Sequence, residues 1–415
     1  MSITEINTWQ SSFNHNGVSH RVSTSENGQY ILVVCSWRQW HLDSESLTGY
    51  ENQVFYSDDS GVTFQNYKQK FGSFDLSVVT YGKYTKIPSG VRVSKSGQYQ
   101  AVIINDQSNN FKANIFVSDD YGANFTLLTQ NGQHSSRATS NFAMSEPVEG
   151  ITGSFPCYIS FVIDNGSIWV YNPNTNTFSQ TAGIGSVLSN DIDMSDDGST
   201  IIVSRRNQSG LFSTDFGATF SVIPHLSQYG GATAISDDGN QMILVDYNEA
   251  GSSSRKLIYS SDKGQNWVQN TITTNSHIFD IDMSESKIVL VGSNGVIFSS
   301  TDGQTFTEET LGTTGSLFAV THYNTDKFYF VSSPPTTDTT MTLYSLNYGS
   351  GGSSQQQQEA TPTIVYNTAP ILKRVISTIE NESSVTFLIR LDHSKANSYL
   401  VQFLDEDSMI SQPFF

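Results

Sequence analysis

The sequence is poor in charged residues, and most of its charge has one sign. Lys and Arg account for 21 of the 415 residues and Asp and Glu for 39, so the formal net charge is −18. Nucleic-acid binding depends on clustered Lys and Arg that neutralise phosphates. The composition therefore argues against a nucleic-acid partner, and an acidic surface also disfavours contact with anionic membranes.

Long apolar runs and a visible export signal are both missing. No stretch of the sequence approaches the ~20 apolar residues that a membrane-spanning helix needs, so we expect no membrane insertion. The first five residues lack the basic and apolar regions of a signal peptide. The sequence leaves the location open and favours an extracellular or virion-surface one, which a trimmed signal, unconventional export or carriage on a virus particle would explain.

Cysteine is scarce, and the common catalytic and metal-binding motifs are absent. Cys35 and Cys157 are the two cysteines, and on the repeat pattern given below they fall in the first and third repeats. We therefore expect two free thiols rather than a disulfide. The sequence has no Cys/His zinc spacing, no phosphate-binding glycine loop and no nucleophile elbow, so we predict no cofactor, no metal site and no assignable catalytic residue.

A short motif with the pattern Ser-x-Asp-x-Gly-x-x-aromatic, called the box below, recurs along the chain. Full copies occupy residues 57–64, 118–125, 213–220 and 260–267, a shorter copy occupies 300–306, and a degenerate copy occupies 171–178. Gly adopts positive φ readily, and Ser and Asp side chains bond the backbone amides of their own turn. The box therefore predicts a tight turn, and we assign no catalytic role to its aspartates, which are Asp59, Asp120, Asp215, Asp262 and Asp302.

A second turn motif, Ser-x-x-Gly, alternates with the box. Its clear copies precede apolar runs of strand length and begin at Ser25, Ser94, Ser195 and Ser236. Weaker copies lie at Ser145, at Ser284 and near His322. One turn of each kind per repeat connects four antiparallel strands, which is the unit of a β-propeller blade.

The spacing of the turns predicts the number of blades. Seven Ser-x-x-Gly positions between Ser25 and His322 recur about every 50 residues, as in propeller repeats. We predict an all-β fold: a β-propeller of about seven four-stranded antiparallel blades over residues 1–348. Such a ring closes without open edges only when both chain ends complete one blade. Residues 6–9 resemble the strand after a box, and we expect them to pair with residues 342–345.

The boxes resemble those of the Asp-box, or BNR-repeat, propellers. This superfamily includes sialidases, xyloglucan-active glycoside hydrolases, sortilin-type receptors and photosystem assembly factors. The resemblance covers about residues 1–348 and implies the fold. It implies no single function, because the members of the superfamily do very different things.

The resemblance to sialidases themselves is incomplete. Sialidases have six blades, an arginine triad and an Arg-Ile-Pro motif before the first box. Here the nearest match is Lys86-Ile87-Pro88, which has lysine and follows the first box. In the propeller repeats only Arg21 and Arg92 stand at positions expected to face the channel, so the sequence argues against sialidase activity.

The C-terminal part of the chain has a different composition. Residues 349–358 are Gly, Ser and Gln only, which predicts a flexible linker. Residues 359–415 alternate like strands at 363–366, 384–391 and 399–404 and end in the apolar stretch 409–415. A segment this small is marginal as a free domain. We therefore expect it to dock on a partner, on another copy of the chain or on the propeller.

Charged residues precede several Ser-x-x-Gly motifs, on the strand that is expected to line the central channel. They stand four or two residues before the Ser, and alternation along a strand puts both positions on one face. The candidate ligand site consists of Arg21, Arg92, Asp191, Asp193, Asp280 and Asp282, with His277 and His20 close by. These groups either form a ligand pocket at one channel mouth or satisfy one another and hold channel water.

Two functions remain open on the sequence. The leading hypothesis is a non-enzymatic propeller that recognises a glycan or a protein, or that forms part of an extracellular or virion assembly. The alternative is a glycoside hydrolase, which needs two carboxyl groups roughly 5–10 Å apart across a groove. The channel aspartates would have to supply that pair.

Overall fold

The computed structural model describes most of the chain. The described residues are 2–10, 18–37, 52–67, 71, 86–106, 112–128, 138–163, 166–181, 189–205, 208–224, 230–246, 253–310, 315–333, 340–348, 372–381, 384–391, 399–404 and 409–414. They contain 32 β-strands, a 3-10 turn at Ser293–Gly295 and no α-helix. Two compact units are present, Met1–Ser350 and Gly351–Phe415.

The first unit consists of seven four-stranded antiparallel sheets, the blades. Strand β1 (Ser2–Gln10) opens the chain and belongs to blade 7. Blade 1 contains β2 (Val18–Thr24), β3 (Ile31–Trp37), β4 (Asn52–Ser57) and β5 (Gln65–Asn66). Blade 2 contains β6 (Lys86–Val93), β7 (Gln100–Asp106), β8 (Lys112–Ser118) and β9 (Thr126–Leu127). Blade 3 contains β10 (Ala138–Met144), β11 (Ile159–Ile163), β12 (Ile168–Asn172) and β13 (Thr177–Gln180).

The remaining blades follow the same order. Blade 4 contains β14 (Ser189–Met194), β15 (Ile201–Arg205), β16 (Leu211–Ser213) and β17 (Ser221–Val222). Blade 5 contains β18 (Gly230–Ile235), β19 (Met242–Asp246), β20 (Ser254–Ser260) and β21 (Val268–Thr273). Blade 6 contains β22 (Ile278–Met283), β23 (Ile288–Gly292), β24 (Val296–Ser300) and β25 (Thr307–Thr310). Blade 7 contains β26 (Ser316–Asn324), β27 (Lys327–Ser333), β28 (Thr340–Asn347) and β1.

The ring closes through the two ends of the propeller unit, as predicted. The inner strand of each blade contacts the inner strands of its neighbours, and β26 of blade 7 contacts β2 of blade 1. Strand β1 pairs antiparallel with β28, so that Thr8 lies opposite Thr342 and Thr4 opposite Ser345. The prediction of a seven-bladed all-β propeller is confirmed, and its closing strand is the expected one.

Both turn motifs lie at the same face of the ring and contact each other. In blade 1 the Ser25 hydroxyl accepts a hydrogen bond from the Tyr30 N–H at 3.0 Å, which closes the Ser-x-x-Gly turn. In the box, Asp59 Oδ1 accepts bonds from the Ser57 hydroxyl and the Thr63 N–H. The Ser60 N–H then donates to the Gln29 carbonyl, 3.0 Å away. The aspartates of the boxes thus serve the turns, as the motif predicts.

Apolar side chains fill the spaces between neighbouring blades. One cluster combines Val33 and Phe55 of blade 1 with Tyr329 and Leu343 of blade 7, and Trp9 of β1 stacks on Phe55 at 4.9 Å. Cys157 lies in another cluster between blades 2 and 3, where it is buried and unbridged. Strand β3 of blade 1 carries Cys35, so the two cysteines belong to the first and third blades, as expected.

The second unit contains two hairpins. Strand β29 (Leu372–Asn381) pairs with β30 (Ser384–Leu391), and β31 (Tyr399–Leu404) pairs with β32 (Met409–Phe414). The predicted strands at 384–391 and 399–404 are present, whereas β29 and β32 were not anticipated. The predicted strand at 363–366 and the linker at 349–358 lie outside the described residues, and the docking role of residues 359–415 stays a prediction.

The turn glycines provide a test of how tightly the blades pack. Gly97 and Gly153 have nearly the same left-handed backbone, with φ of +79° and +78°. At Gly97 an added Cβ would stand 2.1 Å from the Tyr30 ring of blade 1, whereas at Gly153 it would meet nothing within 4 Å. We expect Gly153→Ala to lower the free energy of unfolding by about 1–2 kcal/mol, because alanine disfavours the left-handed conformation. Gly97→Ala should cost ~1–3 kcal/mol more because it overpacks the blade interface.

Denaturant unfolding of the two variants measures this difference. Gly153→Ala is the matched control, since it changes the same backbone conformation without a contact between blades. Equal losses of stability in the two variants would contradict the tight interface between blades 1 and 2.

Candidate functional site

A cavity of about 190 Å³ lies in the channel where the inner strands reach the Ser-x-x-Gly turns. All seven blades contribute to its lining. The predicted residues that line it are Arg21, Arg92, Asp191, Asp193, Asp280 and Asp282. The structure therefore brings together six of the seven candidate residues, because they occupy alternate positions on inner strands that converge on one axis.

His277 is not among the described residues that line this cavity. It directly precedes β22, and its ring stacks on Phe279 with centroids 6.2 Å apart. Burial, aided by Arg255, lowers the pKa of His277. His20 lies against the edge of the Phe318 ring, with centroids 5.5 Å apart. A ligand-binding role for His277 stays a prediction.

The aspartates of blade 4 bond to the backbone of blade 5. Asp191 Oδ2 accepts the N–H of Thr233 at 3.0 Å, and Asp193 Oδ2 accepts the N–H of Ile235 at 2.9 Å. Thr233 and Ile235 lie on β18, the inner strand of blade 5. The carboxylates thereby satisfy amide groups at the open edge of that strand, which would otherwise be buried without acceptors.

The aspartates of blade 6 repeat this arrangement with blade 7. Asp280 Oδ2 accepts the Val320 N–H at 3.0 Å, and Asp282 Oδ2 accepts both the backbone N–H and the ring Nδ1 of His322, the latter at 2.9 Å. The two Asp-x-Asp pairs of the sequence are therefore connections between neighbouring inner strands. Blade 1 uses a hydroxyl at the same place, since Ser23 Oγ accepts the Val93 N–H at 3.0 Å.

The two arginines line the same cavity as the aspartates. Each guanidinium donates through Nη1 to a nearby carbonyl, Arg21 to His20 and Arg92 to Val91. Burial raises the pKa of Asp193 to about 7, although Arg92 opposes the shift. Burial and the neighbouring Asp191 raise the pKa of Asp280 to about 8, against the effect of Arg21.

The rim of the cavity carries charged residues that the sequence analysis did not single out. Six of them directly follow the Ser of a clear or weak Ser-x-x-Gly turn, and the whole set is Glu26, Lys95, Glu146, Asp196, Asp237, Glu285 and His322. The sequence therefore did contain a signal for the rim: a charged residue directly after the Ser of the motif, repeated in six blades. Backbone bonds link these turns from blade to blade: the Glu26 N–H donates to the Lys95 carbonyl and the Asp196 N–H to the Asp237 carbonyl, both at 2.9 Å.

Lys95 crosses the mouth and neutralises two carboxylates. Its Nζ lies 2.6 Å from Asp196 Oδ2 and 2.6 Å from Asp237 Oδ2. These two ion pairs join blade 2 to blades 4 and 5. Burial alone would lower the pKa of Lys95, but the hydrogen bonds to these carboxylates raise it overall. The Lys95 N–H also donates to Glu146 at 2.7 Å, and burial raises the pKa of Glu146 to about 7.

His322 completes the network on the side of blade 7. Its Nε2 lies 3.9 Å from Asp237 Oδ1, and its Nδ1 bonds Asp282. Burial disfavours the protonated, charged form of the His322 ring, yet the neighbouring carboxylates of Asp282 and Asp237 raise the pKa of His322 to about 9. Burial also opposes ionisation of Asp282, and His322 nevertheless lowers the pKa of that carboxyl. At neutral pH these two groups form a charged pair.

Within the described part of the chain, no group of three or more His, Cys, Asp or Glu side chains has an arrangement that could hold a metal ion. The described residues also include no helix that is long and apolar enough to cross a membrane.

Comparisons with known proteins show the fold. No protein-family model matches the chain, and no curated protein matches its sequence. The solved structure of YCF48 bound to D1 peptide superposes with a TM-score of 0.53 at 9% identity, and the alignment covers 81% of this chain and 94% of that one. YCF48 from Cyanidioschyzon merolae gives a TM-score of 0.54 at 11% identity, with 82% and 98% covered.

A GH74 enzyme shares the architecture as well. The enzyme of Niastella koreensis gives a TM-score of 0.51 at 13% identity, and the alignment covers 77% of this chain and 51% of that enzyme. The chain is thus similar in fold to a peptide-bound propeller and to an enzyme. Identities this low support the architecture alone.

The pKa shifts predict how stability depends on pH. The pKa values of Asp193, Asp280, Glu146 and His322 are raised to about 7, 8, 7 and 9 in the folded chain. A group with a raised folded pKa contributes stability below its unfolded pKa and loses it as pH rises through the folded value. All four contributions therefore decline between pH 5 and 9, and we expect the thermal midpoint to decrease by several degrees, at roughly 2–4 °C per kcal/mol.

Thermal unfolding from pH 5 to pH 9 measures this effect. The double variant Asp193→Asn/Asp280→Asn removes two of the four titrating groups and should show a shallower decrease than the wild type. A midpoint that stays constant or rises across this range would contradict the pKa values assigned to the channel.

Proposed function

We propose that the chain is a non-enzymatic recognition propeller whose partner is a protein. One observation carries this proposal: the four channel aspartates accept backbone N–H groups of neighbouring inner strands. Side chains committed in this way stabilise the ring, whereas a glycosidase needs one carboxyl that is free to donate a proton and another that is free to attack or to activate water.

The comparisons are compatible with this role. YCF48 has the same fold, and one of its solved structures is a complex with D1 peptide. A rigid ring with an accessible, charged channel mouth suits such a partner, because preformed sites lose little entropy on binding. We extend peptide or protein recognition to this chain on these grounds. Glycan recognition, an Asp-box family assignment and an extracellular or virion location stay predictions.

A glycoside hydrolase is the second candidate, and one observation favours it. Burial raises the pKa values of Asp193 and Asp280 to about 7 and about 8, which suits a general acid at neutral pH. The GH74 enzyme shows that the architecture can support catalysis. The same shifts arise, however, wherever carboxyls are buried away from water.

Assays on a panel of oligosaccharides separate the two functions. We expect no turnover by the wild type, and the same result for Asp193→Asn and Asp282→Asn. Wild-type turnover that both substitutions reduce by ~100-fold or more, the usual size of a general-acid contribution, would establish the enzyme and end the recognition proposal. Circular dichroism of each variant verifies that the propeller is folded.

We also propose that residues 359–415 mediate assembly. Isolated two-stranded hairpins are marginally stable in water, and this segment contains two of them. Pairing with another chain would provide the partners that such hairpins need. We expect deletion of residues 349–415 to lower the oligomeric state in sedimentation experiments while leaving the propeller folded. An unchanged oligomeric state and unchanged partner binding would contradict this role.

A further inference from the structure

Blade 3 departs from the repeat in the turn after its inner strand. In blade 1 the strand that follows Ser25 begins at Ile31. In blade 3 the strand that follows Ser145 does not begin until Ile159. The Ser145 hydroxyl still accepts the Tyr158 N–H, at 2.8 Å, as the serine of blade 1 does in its own turn. The residues between Ser145 and Tyr158 therefore form an insertion in an otherwise conventional turn.

The insertion and the degenerate box of the same blade form a cleft, called the blade 3 cleft below. A cavity of about 350 Å³ is lined by residues 150–154 of the insertion and residues 173–176 of the box. The Ser154 hydroxyl donates to the Pro173 carbonyl at 3.3 Å, which joins the two walls. The volume lies within the ~300–1,000 Å³ of small-molecule sites. None of these residues lines the channel cavity, so the cleft is a separate surface.

Two buried tyrosines hold the amide side chains of the box turn. The Tyr171 hydroxyl donates to Asn176 Oδ1 at 3.0 Å, and Asn174 Nδ2 donates to the Tyr158 hydroxyl at 2.9 Å. Asn174 and Asn176 are exposed and line the cleft. Asn174 Oδ1 and Asn176 Nδ2 make no hydrogen bond to any described residue. The turn therefore offers one acceptor and one donor on side chains that are already ordered, which lowers the entropic cost of binding a ligand.

The lining of the cleft is polar and uncharged. Residues 150–154 and 173–176 include no Asp, Glu, Lys, Arg or His, although the whole chain carries a net charge of −18. A charged ligand would gain no ion pair from these residues. Amides and hydroxyls, by contrast, match the hydroxyl groups of a sugar, each of which can donate and accept. The half-buried Ile151 adds an apolar contact for the C–H groups of a sugar ring.

A glycan fits this cleft better than a peptide does. Peptides are commonly bound by addition to the edge of a sheet or by side chains that enter apolar pockets. The lining residues lie in turns, not in strands, and Ile151 and Pro173 are the apolar side chains among them. The cleft thus lacks both of these features among its described residues.

We propose that the blade 3 cleft binds a neutral oligosaccharide, whose hydroxyl groups pair with Asn174, Asn176 and the exposed Thr152. This inference goes beyond the proposed function, because it concerns another surface of the propeller and another class of ligand.

Saturation-transfer NMR and titration of the full chain test the site. The probes are maltotriose and cellotriose, which are neutral, trigalacturonate, which is anionic, and triserine, which is a neutral peptide. We expect the chain to bind one or both neutral trisaccharides and to bind neither trigalacturonate nor triserine.

Two variants place the binding in the cleft. Asn176→Asp replaces the Nδ2 donor by an acceptor and keeps the oxygen that Tyr171 bonds, and aspartate tolerates the φ of 53° at this position. It should weaken binding roughly fivefold, as expected for the loss of one hydrogen bond. Thr152→Val keeps the shape of an exposed side chain and removes its hydroxyl, and it should weaken binding roughly threefold.

Asn27→Asp is the matched control. It makes the same chemical change at an exposed turn position of blade 1 that lines neither cavity. Asp197 and Asp238 occupy the corresponding position in two other copies of the Ser-x-x-Gly turn, so the change suits the fold. The affinity of this variant should differ from that of the wild type by less than about twofold. Circular dichroism verifies that each variant is folded.

Four results would overturn the inference. They are no binding of either neutral trisaccharide by the wild type, equal weakening by Asn27→Asp and Asn176→Asp, full affinity in both cleft variants, and binding of triserine as tight as that of the sugars. Each of them is a binding result and leaves the turnover assay untouched, so protein recognition could survive the loss of this site. Turnover in that assay would end the protein-recognition proposal and leave the blade 3 cleft to be judged by its own variants.

Discussion

The propeller depends on how the open edge of each inner strand is satisfied. An inner strand pairs with one neighbour inside its blade, so its other edge presents backbone amides to the channel. Between blades 4 and 5 and between blades 6 and 7, aspartates of one inner strand accept the amides of the next. Between blades 1 and 2 a serine hydroxyl does so. These bonds link separate sheets into one ring without a continuous ladder of strands.

This solution places carboxylates where water is scarce, and it has electrostatic consequences. Burial disfavours the ionised form, which explains why Asp193 and Asp280 hold protons at unusually high pH. Asp282 stays ionised because it forms an ion pair with the His322 ring, which lowers the pKa of the Asp282 carboxyl. The same side chains that link neighbouring blades therefore determine the charge of the channel.

The sequence was sufficient to predict the repeat and much of the channel, for a physical reason. The turns need Gly, Ser and Asp at fixed spacing, and alternation along a strand fixes which residues share a face, so Asp191 and Asp193 could be placed together in advance. The partners of these aspartates could not be predicted, because they are backbone amides of another blade. Lys95 and His322 were missed since their roles depend on reaching across the axis, and no local pattern encodes that distance. His277 lies near the motif in sequence, but it falls at the far end of its strand.

The order in which the chain can complete its ring follows from the composite last blade. Thr8 and Thr342 share a hydrogen bond across 334 positions of sequence. Bringing such distant segments together costs loop-closure entropy that no local contact repays. During synthesis from the N-terminus, β1 therefore has to wait, unpaired, until nearly the whole propeller has left the ribosome. Strand β1 is made before the other strands of the propeller and is among the last of them to find its place, so the blades between β1 and β28 must hold together as an open arc until it does.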